Sequence, residues 1–588
     1  MAMNRAGLSM AATLSRRLFA ALLLIGISAP AFSQEQRRFY SPPSADAVSS
    51  VPAEHGMVVA QEKLAAQVGA DILRQGGNAV DAAVATGFAM AVTYPRAGNI
   101  GGGGFMVIHL ARRNEDIAID YRETAPQAAT RDMFLGPDGK PDPDKSRNSA
   151  LAIGVPGTVA GLALALEKYG SGHFTLAQIL KPAIDLARDG FIVTDDTSDT
   201  LGDMYRRMSR WPNSAKTFSN ADGRPLREGD RLIQGDLAAV LTAIAEQGPR
   251  GFYQGTVAEK LVNGINNSGG IFTLGDLKSY QPVIRAPMRG SYRGYDVVSM
   301  PQPSSGGVVL IEILNILEGL PMSDMKQGSA TSLHVMLEAM KRAYADRARY
   351  LGDPAFVDAP TQLLTSKDYA AKQRATIDLA RATPWVDVQN AKPPKEGDNT
   401  THYSVVDASG NAVSNTYTLN FPYGVGLVAE GTGVLLNNEL DDFTAAPGAA
   451  NAFGLVGFEA NLPGPGKRPL SSMSPTILLK DGKVVLVTGS PGGSRIISAV
   501  TQIIVDVIDY KMDIAAAVAA PRVHHQWLPD EVRIERGFPD DVLAELRSKG
   551  HKLVEPLGYS SANSILVTPN GLLGAPDPRT RGSEAAGQ

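Results

Sequence analysis

Two adjacent hydroxyl residues, Thr400 and Thr401, begin the stretch TTHYSVVD at 400–407, directly after a polar segment rich in turn formers. The chain contains no cysteine, which removes thiol nucleophiles, disulfides and thiolate metal sites together and leaves hydroxyls as the candidate nucleophiles. A threonine hydroxyl is weak by itself and needs a base. Residues 388–399 read VQNAKPPKEGDN, with no apolar periodicity, and predict an exposed loop in front of Thr400. If the Thr400 hydroxyl attacks the carbonyl of Asn399, the amide becomes an ester, water releases it, and a new α-amine stands beside the same hydroxyl. Such an amine titrates at about 7.7–8.0, so near neutral pH part of it is unprotonated and can take the hydroxyl proton. Cleavage between Asn399 and Thr400 would thus place nucleophile and base on one residue.

A nucleophile of this kind needs a rigid platform. After Thr400, Tyr403, Val405 and Val406 lead to a Ser409-Gly410-Asn411 turn and a second run over 412–419, the pattern of a β-hairpin that starts at Thr400. Apolar residues over 57–93 recur with helical spacing around Gly76-Gly77 and predict two helices, followed by a strand ending near Ala111. Further helices are expected at 176–187, around Pro182, and at 237–247, 308–317 and 332–350; strands are expected at 117–121, 295–300, 477–479 and 484–488. Gly101 to Gly104 lack the following Gly-Lys-Ser/Thr of a phosphate loop and read as close backbone packing. No internal repeat is present, and the one extended polar segment is that before Thr400, which predicts one large α+β folding unit cut once. Pattern alone is compatible with several α+β arrangements.

Apolar content of 44% with 20% charged residues is ordinary for a globular chain, and a net charge of −4 with interspersed signs argues against nucleic acid as a partner. Arg5, Arg16 and Arg17 precede an apolar run over 18–27 and a small-x-small site at Ala31-Phe32-Ser33. A signal peptide at 1–33 and export to the periplasm or the medium are expected. The run is too short to span a bilayer permanently. Ser15-Arg16-Arg17-Leu18-Phe19 resembles a twin-arginine signal, with the general secretory route equally open.

THYSVVDASGNAVSNTYTLN (401–420), GVLLNNELDDF (433–443), KRPLSSMSPT (467–476) and TGSPGGSR (488–495) closely resemble the γ-glutamyltransferases, a family of N-terminal nucleophile hydrolases. The resemblance extends to GNIGGGGFMVIH (98–109), DYRETAP (120–126), GVPGTVAG (154–161), MPQPSSGG (300–307), YADRARYLGDP (344–354) and PRVHHQWLPD (521–530), and so covers nearly all of the chain after residue 50. It implies a four-layer αββα sandwich, a precursor that cuts itself into a large chain, 34–399, and a small catalytic chain, 400–588, and a heterodimer of the two. It also implies the roles of the site residues. Thr400 is the nucleophile and Thr418 its hydrogen-bonding partner. Gly492 and Gly493 present backbone N–H groups to the oxyanion. Arg122, with Ser471 and Ser472, holds the α-carboxylate of a γ-glutamyl donor. Glu439, Asp442 and Asn420 hold its α-ammonium. Asn420, two residues beyond Thr418, is expected on the same strand face.

The implied donors are glutathione and related γ-glutamyl compounds, the acceptors water, amino acids or peptides, and neither metal nor organic cofactor is expected. A related glutaryl-cephalosporin acylase is the nearest rival, and an uncleaved periplasmic binding protein a rival of another class. His402 is read as structural, and adjacent His524 and His525 as pointing oppositely rather than binding zinc. Residues 447–457 look like the lid loop of bacterial relatives with Phe453 where tyrosine is often found, so a lid that closes by packing, and more loosely, is expected.

Overall fold

The hairpin expected after Thr400 forms, and one carboxylate ties its turn. Asp407 Oδ1 accepts the backbone N–H groups of Ser409 and Asn411 at 2.9 and 3.0 Å. The turn sets the register of the strands Thr401–Val406 and Ala412–Thr418, pairing Thr401 with Tyr417 and His402 with Thr416. Continuing that register by one residue brings Thr400 beside Thr418. A computed structural model of the chain describes residues 48–385, 400–554 and 560–588; the expected signal peptide, the segment 388–399 and Asn399 lie outside the described residues.

The hairpin is central in a seven-stranded sheet in the order Glu584–Gly587, Met57–Ala60, Thr401–Val406, Ala412–Thr418, Gly103–Leu110, Glu115–Tyr121 and Val283–Arg285, with every neighbouring pair antiparallel. A second antiparallel sheet runs Val51–Ala53, Gly571–Ala575, Ser564–Thr568, Lys483–Thr488, Thr476–Lys480, Tyr295–Ser299 and Met288–Tyr292. The inner faces meet: Phe105, Val107 and Val406 from the first sheet share one buried cluster with Ile477, Val487 and Ile565 from the second. Helices Lys63–Arg74, Ala79–Thr93 and Thr158–Tyr169 cover the outer face of the first sheet, and Gly306–Glu318 and Arg495–Ile508 that of the second. The result is the expected αββα stack.

Helix Ala79–Thr93 shows how sequence permits this layering. Asn78 and Asp81 form a capping box at its start, and all of its residues are buried, so its small side chains let it lie close against the sheet. The Tyr417 hydroxyl donates to Gly87 O at 2.9 Å, and a Cβ at Gly87 would stand 2.7 Å from the Tyr403 hydroxyl. The expected helices occur as Leu176–Asp189, with Pro182 inside, Gly235–Gln247, Gly306–Glu318 and Ala330–Tyr350. One expectation is corrected: the start of the presumed helical stretch, Met57–Ala60, is a strand pairing with Thr401–Val406. All four of its residues are buried, so it lacks the alternation that marks a half-exposed strand. Gly101 and Gly102 are packing glycines as expected, since a Cβ there would lie 2.0 Å from Leu435 O and 2.2 Å from Thr418 O.

Candidate active site

Thr400 is buried, and its Oγ1 lies 3.4 Å from Thr418 Oγ1. Thr418 Oγ1 also accepts the N–H of Asn420 at 2.8 Å. The strand ends at Thr418, and Asn420 has φ 73°, so strand alternation does not carry it to the site as expected. A left-handed turn does, with Asn420 Nδ2 donating to Asn438 O at 2.9 Å.

These residues line one pocket. Thr400, Thr418 and Asn420 form one wall; Arg122, Glu439 and Asp442 lie in another; Ser471, Ser472 and Gly493 complete it, and Phe453 and Leu455 close over it. Gly492 is one residue outside the lining, and Gly493 has φ 56°, a conformation suited to glycine. A Cβ at Gly493 would stand 2.3 Å from the Phe453 ring. Helix Arg495–Ile508 starts just beyond, so the positive end of its dipole is near the pocket, an arrangement favourable to a developing oxyanion.

The charged wall is unusual in its burial. Arg122 Nη1 pairs with Glu439 Oε1, Nη2 pairs with Asp442 Oδ2 at 2.5 Å, and Glu123 Oε2 lies 3.9 Å from Nη1. Burial opposes the Arg122 charge, but Glu439, Asp442 and Glu123 outweigh it and hold the guanidinium above its usual range. Burial raises the Glu439 and Asp442 carboxyls, with Arg122 pulling both back toward ionisation. The cation and the anions expected to hold opposite ends of one substrate are therefore paired with each other.

Glu123 had no reading of its own in the sequence, although it follows Arg122 in the same motif. Both its carboxylate oxygens are buried without a hydrogen-bond partner among the described residues. Burial, against the pull of Arg122, raises its pKa from 4.5 to about 7. A carboxyl raised on folding contributes stability that is complete below 4.5 and is lost as pH rises through about 7. Glu123→Gln, a permanent neutral mimic, is expected to match the parent near pH 4.5 and to gain on it steadily up to about pH 7. Denaturant melts across that range check this; a difference that stays constant with pH means that Glu123 is ionised throughout.

The distant motifs hold this wall in place. Ser305 donates its N–H and its hydroxyl to Ser471 O at 2.8 and 2.7 Å, and Arg347 donates to Ser305 Oγ at 2.9 Å and to Ser472 Oγ at 3.2 Å. Burial lowers the Arg347 pKa to about 10, with Arg122 adding to that effect and Asp442 opposing it. Asn437 Nδ2 donates to Gly101 O at 2.9 Å and Gly154 O at 2.8 Å, joining two glycine loops beneath Glu439. Arg347 and Asn451 also had no reading from the sequence. Asn451 lies within the 447–457 segment read as a lid loop, and its partners Asp442, Phe453 and Leu455 are all within nine positions of it.

Asn451 organises the lid. Its Oδ1 accepts the N–H groups of Phe453 and Leu455 at 3.0 and 3.1 Å, and its Nδ2 donates to Asp442 Oδ1 at 3.1 Å. Asp441 accepts from Ser146 Oγ at 2.6 Å and Ala452 N at 3.0 Å, linking the lid to the opposite side of the site. Phe453 is 3% exposed and packs edge-on against Phe421, with ring centroids 6.2 Å apart. The looser lid anticipated from Phe453 is closed here by an aromatic contact in place of a phenol hydrogen bond.

His402 is structural: its ring nitrogens face Thr416 Oγ1 at 2.8 Å and Ser404 Oγ at 3.0 Å, and burial lowers its pKa to about 3. His524 and His525 diverge, toward Ser498 Oγ at 2.7 Å and Asp530 Oδ1 at 3.1 Å. Among the described residues, His334, Glu338 and His551 converge closely enough to hold an ion. Their donors are already engaged. His334 Nδ1 faces His551 Nε2 at 2.8 Å, its Nε2 faces Asp378 O at 2.8 Å, and Glu338 pairs with Arg342 at 2.6 Å.

Comparison with known proteins agrees with this geometry. The family model described as Gamma-glutamyltranspeptidase matches residues 65–587. A "Glutathione hydrolase proenzyme" of Escherichia coli (strain K12) is 52% identical over 544 residues, 92% of this chain and 93% of that protein. Another of that description, from Pseudomonas sp. (strain A14), is 49% identical over 90% of this chain and 92% of its own. The solved structure of a cephalosporin acylase from Bacillus halodurans superimposes with a TM-score of 0.81 at 29% identity, covering 94% of this chain and 98% of that one. With the match spanning nearly the whole described chain and the paired threonines and two-signed pocket in place, the chain belongs to the gamma-glutamyltranspeptidase family.

Proposed function

We propose that the protein is an autoprocessed γ-glutamyltransferase that acts on glutathione and related γ-glutamyl amides. The observation that carries this reading is the meeting, in one buried pocket, of the Thr400–Thr418 hydroxyl pair with Arg122, Glu439 and Asp442. Cleavage between Asn399 and Thr400 divides the chain into a large part, 34–399, and a small part, 400–588, and frees the Thr400 amine. That amine takes the hydroxyl proton as Oγ1 attacks the γ-carbonyl of the donor, and Thr418 holds the hydroxyl in line. The N–H groups of Gly492 and Gly493 receive the oxyanion, the leaving amine takes the proton, and a γ-glutamyl ester remains on Thr400. Water, or the amine of an amino acid or peptide, then resolves the ester.

Donor binding is an exchange of ion pairs. The α-carboxylate takes Arg122, assisted by Ser471 and Ser472, while the α-ammonium takes the place of Arg122 beside Glu439 and Asp442 and meets Asn420. Charges removed from water are thereby kept paired throughout. The apolar run and small-residue site at the N-terminus support export to the periplasm, and no helix among the described residues is long and apolar enough to cross a membrane.

The likeness to a cephalosporin acylase makes a glutaryl donor the second reading. A glutaryl group has no α-ammonium and leaves Glu439 and Asp442 without a counter-charge. Hydrolysis of γ-glutamyl and glutaryl p-nitroanilides is expected to favour the first by roughly 100-fold in kcat/KM, the scale of a charge-assisted pair left unmade. Equal rates would transfer the assignment to the acylases.

A further inference from the structure

Arg207 is a cation near the site that the chemistry above does not use. It lies in helix Asp195–Met208, and its guanidinium stands 5.4 Å from the centroid of the Phe421 ring. Its Nε and Nη2 are buried and take no hydrogen-bond partner among the described residues. The charge acting on it is another cation, Arg210, which adds to burial in lowering its pKa to about 10. The Phe421 face offsets part of the cost of burying a cation, but a desolvated guanidinium with idle donors is completed by an anion.

Its position says which anion. Phe421 follows Asn420, which lines the Thr400 pocket, and the Phe421 ring packs on Phe453, which closes that pocket. The recognition groups Arg122, Glu439, Asp442 and Asn420 take the glutamyl end of the donor, so the portion beyond the scissile nitrogen leaves the pocket past Phe453, the ring that closes it. A two-residue leaving group spans roughly 7 Å when extended. The guanidinium stands two ring contacts from the lid, 6.2 Å from Phe453 to Phe421 and 5.4 Å from there, so a leaving group of this length covers part of that path and its terminal carboxylate points along it.

We propose that Arg207 binds the carboxylate carried by the group beyond the scissile amide: that of a peptide leaving group and, by microscopic reversibility, that of an incoming amino-acid or peptide acceptor. This rests on the γ-glutamyl reading above. The incoming amine occupies the position that the leaving amine vacated, so one cation serves both. Arg207 is a specificity residue and takes no part in proton transfer.

The test compares glutathione with γ-glutamyl-p-nitroanilide, whose leaving group carries no carboxylate, in the full-length processed enzyme. In Arg207→Gln the ratio of kcat/KM for glutathione to that for the anilide is expected to fall about tenfold, the loss being mainly in KM, with partial recovery in Arg207→Lys. The melting temperature of Arg207→Gln should not fall, because an unpaired buried charge has been removed. A ratio that stays at the parent value, or a parallel loss on both substrates with a lowered melting temperature, overturns the assignment and leaves Arg207 a packing residue. Failure of the parent enzyme to turn over either substrate would instead defeat the γ-glutamyl reading itself.

Discussion

Thr400→Ala is expected to accumulate as one unbroken chain with γ-glutamyl turnover reduced on the order of 10⁴-fold or more, because one substitution removes the attacking oxygen of both self-cleavage and catalysis. The fold should be little affected. The hydroxyl lost makes a 3.4 Å contact with Thr418, so a melting curve close to that of the parent is the expected companion result. Intact mass and anilide hydrolysis on the same preparation are the measurements needed. In the processed parent the base is an α-amine of pKa about 7.7–8.0, so kcat/KM should climb through that range as the amine loses its proton. A Thr400→Ala protein recovered as two chains, or as one chain with parental activity, would falsify the proposed chemistry.

Arg122→Gln should produce the largest combined effect on stability and binding. Arg122 is fully buried between Glu439 and Asp442, with Glu123 close by, so its removal strands carboxylates away from water. Breaking a buried pair in this way costs about 3–5 kcal/mol. The stranded groups escape by taking up protons, since burial already raises all three. A carboxyl raised in the folded state loses stability as pH increases, so the deficit of Arg122→Gln should be greatest in neutral to alkaline solution and shrink toward the ordinary carboxylate range. Donor binding suffers separately. Without the guanidinium fork the α-carboxylate has two serine hydroxyls left, and kcat/KM for γ-glutamyl donors is expected to fall at least about 100-fold. Arg122→Lys, which restores the charge without the planar fork, should recover more of the stability than of the activity. Denaturant melts and anilide kinetics across pH separate the two effects, and a stability deficit that does not vary with pH would refute the stranded-carboxylate account.

The candidate site residues were legible in the chain to different depths. Thr400 and Thr418 stand 18 positions apart on one hairpin, whose turn residues and strand pattern are written consecutively, so their juxtaposition follows from local physics. Arg122 and Glu439 are 317 positions apart; their sharing of one pocket came from resemblance between motifs, since no spacing rule connects them, and their pairing with each other appears only in the fold. The helices expected at 176–187, 237–247, 308–317 and 332–350 appear with ends moved by one or two residues, as fraying ends permit, whereas the first helix of the 57–93 stretch begins only at Lys63.

Sequence by itself singled out the candidate nucleophile and the proposed cleavage point, and determined the absence of thiol chemistry and the hairpin that carries the site, because each depends on residues adjacent along the backbone. Tertiary structure alone decided that Met57–Ala60 is a strand, that Asn420 arrives by a left-handed turn, that Arg122 rests against its own acids, and that Phe421 holds the lid beneath Arg207. Those outcomes depend on which faces of sequence-distant elements are buried together. Burial on both sides erases the periodicity from which a strand is recognised, and a charge finds its partner only when packing has closed the distance.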